Sequence, residues 1–152
     1  MTDYQQSLEV MRQLFQKDCT FVLATAKNNV PSQRVVDAYF YNGEFWIVTY
    51  AKSNKFLEIS QNPNVSLCNN FHIFQGKAYN EGHPLLSQNK EIRENLIKVF
   101  EVWYFAHNDE NDENMCYIKV VPQKGFFHKD GKGYGVDFIN QRVKIIPFSR
   151  DI

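Results

Sequence analysis

Two rhythms of apolar and polar residues run through this chain. Near the N-terminus Leu8, Met11, Leu14 and Phe15 fall on one helical face behind Asp3 and Gln6, spaced as an N-cap and its reciprocal partner. This predicts an amphipathic helix over Tyr4–Lys17. The rhythm then shortens to that of strands in FVLATA (Phe21–Ala26), QRVVDAYFY (Gln33–Tyr41) and EFWIVTY (Glu44–Tyr50), rich in aromatic and β-branched residues. Lys27-Asn28-Asn29 makes the first turn and Asn42-Gly43 the second. An Asn-Gly pair between two such runs is a strong hairpin signal, because both residues accept the positive φ of a type I′ turn.

A short helix, Ser53–Gln61, follows and is closed by Asn62-Pro63. NVSLCNN and FHIFQGKAY read as two further strands, with Gly76 marking a bulge or a close backbone approach. From Gln88 to Phe105 the residues Ile92, Leu96, Ile97, Phe100, Trp103 and Tyr104 recur at helical spacing after Ser87 as cap, which predicts one long helix. Polar HNDENDENM reads as a loop, and CYIKVV, GFFHKD, GYGVDFIN and RVKIIPF as strands broken by Asp130-Gly131, Gly133 and Asn140. Strands in hairpin order, interrupted by three helices, give an α+β fold whose antiparallel sheet closes into a barrel. With no linker, repeat or low-complexity stretch, residues 1–152 are expected to form a single domain.

Composition changes this picture in three places. Aromatic residues are 15% of the chain, more than a plain core requires and suited to ring stacking or a subunit interface. Lys plus Arg and Asp plus Glu are 17 each, so no whole-chain field favours nucleic acid or an acidic membrane. The three cysteines, Cys19, Cys68 and Cys116, are odd in number and far apart, which argues against a disulfide framework; Cys68, in an apolar run, is read as inert. Neither a signal peptide nor a membrane-length apolar run occurs, and a cytoplasmic protein is expected.

The candidate chemistry lies in TYAKSNKFLEISQNP (residues 49–63), where a strand ends and a helix begins. A helix start leaves backbone N–H groups unpaired and carries the positive end of the helix dipole, so it suits an anion when a basic side chain adds charge. Thr49, Ser53, Asn54 and Lys55 provide such a start. The same pattern also fits a plain capped helix, with Ser53 as N-cap and Lys55 in solvent. Arg34 adds weight to the anion: if Tyr41 faces Glu44 across the hairpin, Arg34 falls near Tyr50 and Ala51, and its planar fork can hold two phosphate oxygens.

R-V-V on one strand, T-Y-A-K-S-N-K at the end of the next, a short helix and N-P-x-V-S-L together resemble the pyridoxamine 5′-phosphate oxidase-related family, the FMN-binding split β-barrels. Gly76-Lys77-Ala78 extend the likeness, which spans Phe21–Tyr79. The resemblance implies FMN as cofactor, with Arg34 and Lys55 on its phosphate and Ser53 and Asn54 assisting. Val35 and Val36 would line the ring through their backbone, Thr49 would lie beside it, and two chains would form a homodimer with FMN at the interface. In the oxidase proper a lysine stands where this chain has Tyr39 and an arginine where it has Asn54. A C-terminal tryptophan-arginine segment there has no counterpart in RVKIIPFSRDI, so pyridoxamine phosphate is not the expected substrate.

An FMN-dependent oxidoreductase with unknown substrate is therefore expected, passing electrons from a reduced nicotinamide to a small acceptor. The other readings are a non-enzymatic electron carrier or redox sensor, and a barrel holding haem or a deazaflavin, as related barrels do. A nucleic-acid-binding barrel is disfavoured by the zero net charge. His72, His83, His107 and His128 lack ligand spacing, DENDEN lacks the glycine and terminal glutamate of a calcium loop, and no hydrolase or phosphate-loop motif occurs, so neither a metal nor a catalytic acid or base is expected.

Overall fold

Tight two-residue turns set the register of the sheet. In the computed structural model, which describes residues 1–149, β1 (Cys19–Lys27) joins β2 (Val30–Tyr41) through Asn28 and Asn29. Asn42 and Gly43 join β2 to β3 (Glu44–Tyr50), and Asp130 and Gly131 join β6 (Met115–Lys129) to β7 (Lys132–Asp137). All six turn residues have positive φ, which matches the twist of the flanking strands. The same geometry joins β4 (Asn64–Asn69) to β5 (His72–Gly82) through Asn70 and Phe71. Phe71, at φ 67°, carries no sequence signal for such a turn.

The sheet runs β3-β2-β1-β4-β5-β6, and β3 also pairs with β6, so six antiparallel strands close into a barrel. Closure runs in unbroken register from Phe45↔Val120 to Tyr50↔Met115. Beyond β6 the sheet continues through β7 to β8 (Arg142–Pro147). The architecture is the expected α+β split barrel with flanking helices. CYIKVV and GFFHKD, expected as separate strands, form one 15-residue strand. Pro122 is tolerated within it because the β5–β6 register shifts between Gln75 and Gly76, where a ladder N–H is dispensable.

Strand alternation sends Phe21, Leu23, Val36, Ala38, Phe40, Phe45, Ile47, Leu67, Phe74, Ile118 and Val120 into one core. Helix α1 (Asp3–Phe15) adds Val10, Met11 and Phe15. The Phe15 ring meets Phe21, Phe45, Phe74 and Phe127 at centroid distances of 5.6, 5.9, 5.5 and 6.4 Å, mostly edge-on, the arrangement that ring quadrupoles favour. The helix begins one residue earlier and ends two residues earlier than its periodicity suggests. Thr2, not Asp3, is its cap: Gln5 N–H donates to Thr2 Oγ1 (3.1 Å) and Thr2 N–H to Gln5 Oε1 (2.9 Å).

Outside the barrel, Tyr39, Trp46, Met115 and Tyr117 pack against Ile92, Leu96, Phe100 and Tyr104. The helix expected over Gln88–Phe105 is broken here into a 3₁₀ turn (Ser87–Asn89), α3 (Lys90–Val99) and a single turn α4 (Tyr104–His107). Long-range anchors explain the break. Asn89 Nδ2 donates to the carbonyls of Glu81 and His83 (both 2.9 Å), Tyr104 and Tyr117 share a hydroxyl hydrogen bond (2.6 Å), and Trp103 Nε1 donates to Asp18 (2.9 Å) while stacking on Phe100. Ser87, expected as the cap, is instead the first residue of the 3₁₀ turn, and Leu86 holds the cap position without a side-chain hydrogen bond.

Asp18 also hydrogen-bonds Asp37, and burial, this bond and the charge of Asp18 push the Asp37 carboxyl up to about 6. A carboxyl raised above its unfolded value of 3.8 stabilises the fold at low pH and loses that contribution as pH rises through about 6. Asp37→Asn, which keeps the shape without the charge, is expected to raise Tm by about 2–4 °C at pH 8. Melting curves at pH 8 and pH 5 check this, since the gain should shrink at the lower pH. At Gly76 a Cβ would lie 2.2 Å from the Val121 carbonyl oxygen. Gly76→Ala is expected to destabilise the protein by about 1–3 kcal/mol in urea unfolding.

Candidate functional site

Helix α2 (Asn54–Gln61) starts where β3 ends. Ser53 is its N-cap, accepting from Phe56 N–H at 3.3 Å, and the Ser53 hydroxyl lies 3.2 Å from the hydroxyl of buried Thr49. The plain capping role of Ser53 is therefore present. Asn54 is exposed at the first turn. Lys55, one residue on, is half-buried and has no hydrogen-bond or ion-pair partner among the described residues.

Arg34 reaches this junction by a different route from the one expected. The hairpin register is as read, with Tyr41 opposite Glu44, but β2–β3 pairing stops at Tyr39↔Trp46, while β3 continues along β6 to Tyr50. Arg34 therefore lies opposite Leu23 of β1 rather than beside Tyr50 and Ala51. Its Nη1 donates to Thr25 Oγ1 (2.7 Å) and to the Leu23 carbonyl (3.2 Å), and its Nη2 reaches Glu58 Oε2 of α2 at 3.4 Å. Thr25 donates its own hydroxyl to the same Glu58 oxygen, and Ser32 to the other at 3.4 Å.

The charge of Arg34 still reaches Lys55. Burial depresses the Lys55 pKa first, and the positive charge of Arg34 adds to the effect. Glu58 moves the other way, held below the usual carboxylate range by the hydroxyl of Thr25 and then by Arg34. Thr25, Ser32 and Glu58 escaped the sequence reading. Their signals were present in the alternation that turns Thr25 inward, the two-residue spacing of Ser32 and Arg34, and the three-residue spacing of Glu58 from Lys55 on one helix face.

Val35 and Val36 divide by strand alternation: Val36 is in the core, while the Val35 side chain is 68% exposed. Their strand segment pairs with β1 only, since β3 leaves β2 after Tyr39, so one edge of its backbone remains open to a ligand. Asn54 and Glu58 line a cavity of about 100 Å³ with Lys27, Leu57 and Gln61. Among the described residues no three His, Cys, Asp or Glu side chains are grouped to hold a metal. No helix is long and apolar enough to cross a membrane.

A six-stranded antiparallel barrel closed by the β3–β6 pairing and flanked by helices defines the split-barrel class of fold. Residues 7–129 match the family described as pyridoxamine 5′-phosphate oxidase, and the chain belongs to that family. No curated protein matches it in sequence. Among solved structures it is similar to General Stress Protein 26 from Bacillus anthracis (23% identity, 78% of this chain and 90% of that one, TM-score 0.58). It is also similar to an FAD-binding protein from Mesorhizobium loti (16% identity, 78% and 89% covered, TM-score 0.58). A pyridoxamine 5′-phosphate oxidase-related, FMN-binding protein from Nostoc punctiforme is a third (12% identity, 98% of each chain, TM-score 0.57). These likenesses are in fold.

Lys55 carries a cost that can be measured. A lysine whose pKa is depressed on folding destabilises the protein while charged, and the cost eases as pH rises through the folded pKa toward 10.5. Lys55→Met is therefore expected to raise the Tm of the ligand-free protein by about 2–4 °C at pH 7. Thermal melts at pH 7 and pH 10 check the sign, with the smaller gain at pH 10.

Proposed function

We propose that this chain, as a single unit over residues 1–152, binds FMN and works as a flavin-dependent oxidoreductase. The observation that carries the reading is Lys55: half-buried, without an anionic partner among the described residues, and near enough to Arg34 to feel its positive charge. Such a pair is unfavourable alone and favourable around an anion. A terminal phosphate monoester with nearly two negative charges suits a site that two cations can share.

Arg34 and Lys55 are assigned to the phosphate, with Ser53 and Asn54 assisting at the helix start. Thr49 lies beside the cofactor, and Val35 and Val36 meet the ring through the open backbone edge of β2. FMN, when bound, supplies hydride and one-electron chemistry. The chain's own residues bind the phosphate, orient the ring and limit water access. The β2 edge that would meet the ring is unpaired from Val30 to Ala38, so it is open on its outer side. This supports a homodimer in which a second copy completes each site at the subunit interface. The substrate follows from none of these residues, and Tyr39 and Asn54 argue against pyridoxamine phosphate.

The natively purified protein is expected to show the two-banded yellow spectrum of a flavin and to release FMN on denaturation, identified by mass. Arg34→Ala combined with Lys55→Ala is expected to weaken FMN binding by roughly 100-fold, two charged hydrogen-bonding groups being lost. An unchanged affinity in the folded double variant refutes the assignment.

A further inference from the structure

Arg34, Thr25 and Glu58 form a closed ring. Arg34 Nη1 donates to Thr25 Oγ1 (2.7 Å), Thr25 donates to Glu58 Oε2, and Arg34 Nη2 donates back to that same oxygen (3.4 Å). Every donor in the ring has an acceptor and every hydroxyl proton a direction. Thr25 is buried, and the side chains of Arg34 and Glu58 are only 23% and 16% exposed, so water competes weakly for these bonds. The second Nη1 proton is taken by the Leu23 carbonyl at 3.2 Å, and Ser32 braces the other carboxylate oxygen.

A guanidinium carries five N–H groups along two usable edges. The ring and the Leu23 carbonyl occupy the Nη1–Nη2 edge. Nε–H donates to no group among the described residues, so the Nε–Nη2 edge remains available. We infer that Glu58 and Thr25 are positioning residues that fix the Arg34 guanidinium, so that its free side edge is presented to a phosphate monoester in a single orientation. This rests on the phosphate reading of Arg34 and Lys55. Glu58 lowers the site's net charge and repels an incoming anion, so it does not help binding by simple electrostatics; its contribution is the removal of guanidinium rotation before the anion arrives.

The test is FMN and riboflavin affinity, measured by flavin fluorescence on the full chain. Glu58→Ala and Thr25→Val are each expected to weaken FMN binding about tenfold and to leave riboflavin binding unchanged. Glu58→Gln, whose amide oxygen can still accept from Arg34 and Thr25, is expected to bind FMN at least as tightly as the parent. Tighter FMN binding by Glu58→Ala would make Glu58 a competitor that phosphate must displace, and an unchanged affinity would give it no role; either overturns the inference. Arg34→Ala separates the two levels. If it too leaves FMN affinity untouched, the phosphate reading falls and the inference with it; if it weakens FMN while Glu58→Ala does not, the inference alone falls. A measurement on the parent protein guards against variants that fail to fold: the Arg34 Nε–H resonance should shift on adding FMN but not riboflavin, while the Nη resonances stay in place. The reverse pattern overturns the proposal.

Discussion

The pairing of β3 with β6 is the constraint on which this molecule depends. It joins residues 45–50 to residues 115–120 and closes an open sheet into a barrel. β3 parts from β2 after Trp46 while its other edge stays on β6, which leaves the β2 backbone from Val30 to Ala38 bonded on one side only. The barrel is closed at one seam and split at the next. The exposed edge lies on the strand that carries Arg34, and β3, having turned, ends at Thr49 and Tyr50, where α2 begins.

The site's energetics run against those of the core. Core rings gain from burial and from one another, whereas Lys55 loses hydration and faces a second cation. Glu58 relieves Arg34 but makes no ion pair with Lys55. The uncompensated charge is therefore confined to one side chain, at the start of a helix whose unpaired N–H groups share its sign. Functional residues commonly hold such local imbalance while the scaffold supplies the stability that tolerates it.

Much of the fold was legible because turn chemistry and alternation are local. Asn28-Asn29, Asn42-Gly43 and Asp130-Gly131 each announce a turn, and the strands between them follow. Gly76 was legible as a close approach, and the carbonyl of Val121 is what approaches it. Non-local features were not legible. The break in the helix after Val99 depends on Trp103 reaching Asp18, and the merging of two strands into β6 depends on where β5 shifts its register. In the site, Arg34, Ser53 and Lys55 stood out by type and spacing. Arg34's actual neighbours did not, because a register counted from the hairpin cannot reveal that the partner strand leaves. Thr25 and Glu58, 33 residues apart, meet only once the barrel has placed α2 against β1.

Phe15 has a consequence for how the protein is made. Its ring packs on Phe21, Phe45, Phe74 and Phe127, so helix α1 finds its last aromatic neighbour only once β6 has been translated. Until then a nascent α1 has an apolar face with an incomplete site to fill, and β3 waits for β6. Assembly of this core consequently waits for the whole span from α1 to β6, and until that span is made the central aromatic side chain stays unsheltered.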